Sequence, residues 1–139
     1  MDELFSDRNH PAYNEVENTF VELHWAIEDE PTQGYNQEYD QIVSIGEVVS
    51  TKIISAYLNE CNVKNLWLDA RGILKTDDNY REGKVDFDLT EQLVKEELLN
   101  KLISNEERII ITQGFIGSTS ENYTVTLGRE GSDYTAAIM

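Results

Sequence analysis

The run Arg108-Ile109-Ile110-Ile111-Thr112 sets the tightest limit on how this chain folds. Its β-branched side chains favour an extended backbone. The run is too apolar for a solvated strand, so it is expected in a buried, central and parallel position. A second apolar run of strand length, residues 63–68, ends at Asp69. Around these runs, apolar residues recur at helical spacing. Val16, Phe20, Leu23 and Ile27 mark a helix over 13–27, with glutamates on its outer face. Val49, Ile53 and Ala56 mark a second over 47–62, and Leu93 or Val94, Leu98 and Leu102 a third over 90–103. Helix and strand alternate, which points to an α/β layered domain with a parallel sheet.

A length of 139 residues suits one domain. The net charge of −16 argues against nucleic acid, which demands clustered Lys and Arg, and against anionic membrane surfaces. It fits a solvated acidic surface in the cytoplasm. The single cysteine, Cys61, excludes an internal disulfide. Lying among Leu58, Val63 and Leu66, it reads as a buried structural thiol rather than a nucleophile. No apolar run approaches the roughly 20 residues of a membrane span, and the acidic start resembles no signal peptide. His10 and His24 have no partners at metal-ligand spacing, so no metal site is expected. Residues 1–11 read as polar and loose, and residues 28–40, acidic with Pro31 and Gly34, as a long loop.

Four constellations can carry chemistry. In Ser44-Ile45-Gly46-Glu47, Ser and Glu at N-cap and N3 spacing fit a capping box; alternatively Glu47 points into a cleft and binds an ammonium group. Gln113-Gly114-Phe115-Ile116-Gly117 follows the buried strand. It reads either as a glycine turn needing positive φ, with Phe115 in the core, or as a ligand loop beyond a strand's carboxyl end. In Tyr123 to Ala137 a strand runs through Gly128-Arg129-Glu130-Gly131 into a helix opened by Ser132-Asp133. That order presents free N–H groups and a helix dipole to an anion, with Arg129 as a fork-shaped cation. Its plainer reading is a strand–turn–helix with Ser132 or Asp133 as N-cap. The glycine spacings match neither a dinucleotide fingerprint nor a P-loop. Asp77-Asp78, with Asp69 and Arg71 upstream, reads as turn surface rather than a Mg²⁺ site.

Taken together, these segments resemble aspartate kinase, of the amino-acid-kinase superfamily. The matching stretches are Ile42 to Glu47 with Ser50, Asp69-Ala70-Arg71, Thr76 to Tyr80, Gly114 to Gly117 and Thr126 to Ala137, so the resemblance covers about 41–139. It implies a three-layer α/β/α sandwich with a mostly parallel sheet, here incomplete. It also implies transfer of the ATP γ-phosphoryl group to the β-carboxylate of L-aspartate, for lysine, threonine and methionine synthesis. By position, Arg129 would hold the substrate α-carboxylate and Glu47 its ammonium group, while Phe115, Ser132 and Asp133 line the pocket. Asp133 would be the catalytic position. Gly114, Gly117, Gly128 and Gly131 would form the loops near the phosphate.

The chain departs from the family in three ways. It lacks the opening Lys-Phe-Gly-Gly-Thr-Ser stretch, it has nothing beyond Met139, and Glu130 stands where many relatives carry glycine. It is therefore expected to be the amino-acid-binding part of a catalytic domain, 1–139, without turnover alone. ATP and Mg²⁺ would belong to the intact, homo-oligomeric enzyme and not bind here. A non-catalytic amino-acid-binding module and an assembly element are the alternatives.

Overall fold

Pro11 opens the first helix, where a missing N–H costs nothing and its fixed φ suits the first turn. In the computed structural model, which describes residues 1–28, 34–104 and 109–139, this helix is α1 (Pro11–Glu28). Its buried residues are Ala12, Val16 and Thr19, whereas Phe20 and Ile27 of the expected stripe are exposed. The contact face is rotated toward the helix it packs on.

That partner is α2 (Tyr35–Glu60), far longer than expected. Residues 35–40 of the expected loop are its first turns, while Pro31 falls outside the described residues. Ser44 therefore cannot be an N-cap. It is buried in mid-helix, and its hydroxyl donates to the Gln41 carbonyl. Gly34 takes the N-cap position instead. The helix ends in a Schellman arrangement, with Asn62 left-handed at φ 62°, Val63 N–H on the Leu58 carbonyl at 2.8 Å and Asn62 N–H on the Asn59 carbonyl at 3.0 Å. Cys61 sits at this exposed end and is not the buried thiol expected from its neighbours.

Strand β1 (Leu66–Trp67) follows, then a 3-10 turn over Ala70–Gly72 capped by the Asp69 carboxylate. Asp86 caps α3 (Phe87–Leu93), which continues through a π-helical stretch, Val94–Leu99, into α4 (Asn100–Ser104). Strand β2 (Ile110–Ile111) then pairs with β1 in parallel, Leu66 opposite Ile110 and Trp67 opposite Ile111. The parallel expectation for the isoleucine run holds, but the buried and central position does not: Ile110 and Ile111 are half-buried, Ile109 is exposed, and β2 pairs with β1 alone among the described residues; Arg108 lies outside them.

The glycines after β2 turn the chain into a hairpin. Strand β3 (Ile116–Ser118) pairs antiparallel with β4 (Thr124–Thr126), and helix α5 (Gly131–Ile138) follows. A five-residue connection permits only antiparallel pairing. The described residues thus form one parallel and one antiparallel two-stranded sheet, with helices, rather than a continuous, mostly parallel sheet. Lys75 bridges Ser118 in parallel, placing the segment after the 3-10 turn on the free side of β3. Val48 of α2, Ala70 and Ile116 are buried together, with Trp67, Phe115 and Met139 packed against them.

Candidate functional site

The site is built around a buried carboxylate. Asp40 lies on α2 at 0% exposure and faces the hairpin. Its Oδ2 accepts the backbone N–H of Thr126 at 2.9 Å and of Arg81 at 2.7 Å, and its Oδ1 accepts the Thr126 hydroxyl at 2.8 Å. One side chain therefore ties α2, β4 and the 77–83 turn together. Gly83 N–H completes the join on the Thr126 carbonyl at 2.9 Å.

Those three elements border an open cavity of about 640 Å³. Asn36 and Tyr39 line it from α2, and Asn79, Tyr80, Arg81 and Glu82 from the turn. Phe115, Thr126, Gly128 and Arg129 line it from the hairpin and the connection to α5. Burial pushes the Tyr80 hydroxyl above its ordinary range, with the charge of Asp78 adding to the effect. Tyr80 thus remains a neutral phenol near physiological pH.

Two of the five non-glycine residues with positive φ among the described residues, Arg81 and Phe115, line this cavity. Arg81 (φ 71°), Phe115 (φ 70°) and Gly128 (φ 74°) are left-handed, and all three line the cavity. Non-glycine residues adopt this conformation only where the surroundings impose it, often at ligand sites. The glycine turn expected at 114–117 is therefore arranged differently. The positive φ falls on Phe115, and the glycines serve close approach. A Cβ on Gly114 would stand 2.9 Å from the Ser132 Cα, and one on Gly117, inside β3, 2.5 Å from the Leu74 Cδ2. Gly131 likewise abuts the Phe115 ring, at 2.9 Å.

Helix α5 begins one or two residues earlier than expected. Its N-cap is Glu130, left-handed at φ 61° and with no side-chain capping bond. Ser132 and Asp133 are exposed residues of its first turn, not its cap. Among the described residues, no hydrogen bond or ion pair occupies the Asp133 carboxylate or the Arg129 guanidinium.

Glu47 stands apart. It is half-buried on α2, one turn before Thr51, and is not among the residues lining the cavity. Thr51 Oγ1 donates to the Glu47 carbonyl at 2.9 Å and accepts the Gln113 side-chain amide at 2.7 Å. The Gln113 carbonyl oxygen accepts Ala70 N–H at 2.8 Å, so this fully buried amide links α2, the 3-10 turn and the start of the glycine segment. Phe115 N–H reaches the Thr135 hydroxyl at 3.2 Å and couples that segment to α5.

The acidic residues 69–78 act locally. Asp69 pairs with Arg71 at 2.6 Å, a bond that raises the guanidinium pKa, and Asp77 Oδ1 accepts the N–H groups of Asn79 and Lys84. Among the described residues, no three His, Cys, Asp or Glu side chains come together to hold a metal. No described helix is long and apolar enough to cross a membrane.

Asp40 and Arg81 are not marked as site residues by any sequence pattern, whereas Gln113 opens the glycine segment but gives no sign of its linking role. Asp40 sat in an acidic stretch read as loop, and only the extension of α2 back to Tyr35 gives it a fixed direction.

Residues 4–139 match the model of the amino acid kinase family. The chain belongs to that family. Within it, similarity runs to aspartokinases. Lysine-sensitive aspartokinase 3 of Escherichia coli K12 is 41% identical over 100 residues, 72% of this chain and 22% of that protein. Bifunctional aspartokinase/homoserine dehydrogenase 1 of Arabidopsis thaliana chloroplasts is 38% identical over 101 residues, 72% of this chain and 11% of that protein. The crystal structure of E. coli aspartokinase III in complex with lysine and aspartate superposes with a TM-score of 0.82 at 34% identity, over 91% of this chain and 28% of that one. The same enzyme with aspartate and ADP gives a TM-score of 0.81. The chain thus spans about a fifth or less of the length of these curated relatives.

Proposed function

We propose that this chain forms the amino-acid-binding part of an aspartate kinase, and that its cavity takes L-aspartate. One observation carries the reading: Phe115, Gly128 and Arg129 line a single cavity, and the Arg129 guanidinium has no acidic partner among the described residues. In a chain of net charge −16, a free guanidinium in a cavity is available to a carboxylate ligand. The aspartate in the E. coli aspartokinase III complexes supports the same ligand.

In this reading Arg129 holds the α-carboxylate and Phe115 forms the apolar wall. Glu47, on the α2 turn before Thr51 and outside the lining of the cavity, is assigned the ammonium group from the family pattern alone. Ser132 and Asp133 approach from the first turn of α5, with Asp133 nearest the reacting β-carboxylate. The contribution of these residues is placement and charge neutralisation, the main resources of phosphoryl transfer. Mg-ATP supplies the phosphoryl group in an intact aspartokinase. These 139 residues contain no Lys-Phe-Gly-Gly-Thr-Ser stretch and, among those described, no acidic cluster fit for Mg²⁺, so no step through ATP is assigned to them.

A polypeptide of these residues alone is accordingly expected to bind aspartate without turnover. Incubation with L-aspartate and Mg-ATP should release no ADP above background, while calorimetry shows saturable aspartate binding. ADP release at the rate of an intact aspartokinase would contradict the first statement, and a flat titration the second.

A further inference from the structure

Four arginines lie among the described residues, and they divide cleanly. Arg8 pairs with Asp2 and Arg71 with Asp69. Arg81 and Arg129 have no acidic partner among the described residues, and both line the same cavity. In so acidic a chain, two exposed guanidinium groups lining one cavity without an acidic partner among the described residues offer two cations to an anionic ligand.

Arg81 is also held in place. Its N–H is fixed on the buried Asp40 carboxylate at 2.7 Å, its backbone is left-handed at φ 71°, and its guanidinium lies over the Tyr39 ring, 4.6 Å from the centroid. A Cβ on Gly128 would stand 3.0 Å from the Arg81 carbonyl oxygen, so the two arginine-bearing turns abut. Stacking on an aromatic face restricts the guanidinium's rotamers, which lowers the entropy lost when it grips a ligand. Glu82 is the one acid among the lining residues, and it forms no ion pair with Arg81.

We propose that Arg81 is a specificity-determining residue that grips the second carboxylate of a dicarboxylic amino acid. The inference rests on the reading that Arg129 holds the first. Arg81 thereby distinguishes aspartate from asparagine, which has the same shape but a neutral amide at that position.

The test is calorimetric titration of the 139-residue chain with L-aspartate and L-asparagine. The unsubstituted chain should prefer aspartate, and Arg81→Gln should reduce that preference by about tenfold or more, mainly through weaker aspartate binding. Arg81→Gly removes the cation while relieving the left-handed strain. It should be at least as resistant to urea and yet lose the same preference, so misfolding cannot account for the loss. Unchanged aspartate-over-asparagine preference in both variants, with aspartate binding still abolished by Arg129→Ala, would overturn the role of Arg81 and leave the aspartate site standing. Absence of aspartate binding by the unsubstituted chain would overturn the site reading and this inference together.

Discussion

Asp40 on α2 holds Thr126 on β4 through two bonds, accepting its backbone N–H at 2.9 Å and its hydroxyl at 2.8 Å. The two residues are 86 positions apart, and both are buried. With the Arg81 N–H as third donor, this carboxylate replaces water for three groups that would otherwise lie buried and unpaired. Asp40→Ala removes both acceptor oxygens and leaves those donors without a partner. A loss of about 2–3 kcal/mol is expected, the usual magnitude for buried bonds to a charged group. Urea unfolding checks it, and a change below about 0.5 kcal/mol, the scale of an ordinary surface substitution, would count against the role.

Glu130 is left-handed at φ 61° and caps α5 without a side-chain bond. A left-handed L-residue costs roughly 1–2 kcal/mol, partly offset by the greater backbone entropy that glycine loses on folding. Glu130→Gly should therefore raise stability by about 0.5–1 kcal/mol. It should also tighten aspartate binding, because a negative charge beside Arg129 is gone. A lower urea midpoint would refute the strain argument.

Much of this architecture is legible from residue patterns. The isoleucine run is read correctly as a parallel strand and residues 63–68 as a second strand, but their pairing with each other is visible only in the structure. The strand–glycine–arginine–helix order also emerges correctly, since glycine and strand signals are local. The start of α2 is not legible. Pro31 and Gly34 imitate a loop, and only packing against α1 and β4 decides that residues from Tyr35 onward are helical. Phe115 shows the same limit, since a left-handed aromatic residue arises from tertiary contacts that no local pattern encodes. Arg81 is illegible for a related reason: its turn reads as surface until Asp40 is known to hold it.

Two glycines should respond in opposite directions. Gly46 lies inside α2 with nothing within 4 Å of an added Cβ, so Gly46→Ala should gain about 0.5–1 kcal/mol from helix propensity. Gly117 would place a Cβ 2.7 Å from the Leu74 carbonyl oxygen, a backbone atom that cannot step aside. Gly117→Ala should lose about 1–3 kcal/mol. Equal effects from the two substitutions, measured by denaturation, would refute the close-approach argument.

Lys75 is 9% exposed, and its ammonium group donates to the Arg71 carbonyl, the Ser118 hydroxyl and the Asn122 side-chain oxygen, all neutral acceptors. Burial lowers its pKa, and the distant charge of Asp69 offsets this only in part. Between the depressed folded value and the ordinary lysine value the unfolded chain binds more protons, so stability rises with pH across that interval. Arginine does not titrate there. Stability of the unsubstituted chain should therefore rise relative to Lys75→Arg as pH climbs toward the ordinary lysine value. A relative fall would reverse the sign and refute the assignment.

The central claim is that Arg129 presents its guanidinium to the carboxylate of a small acidic amino acid. Calorimetric titration with L-aspartate tests it most directly, on the unsubstituted chain and on Arg129→Ala and Glu130→Ala. The account predicts saturable binding by the unsubstituted chain, binding retained in Glu130→Ala and a loss of about tenfold or more in Arg129→Ala, the scale of a charge-assisted hydrogen bond at an exposed arginine. Aspartate binding of equal strength in Arg129→Ala and the unsubstituted chain would contradict it.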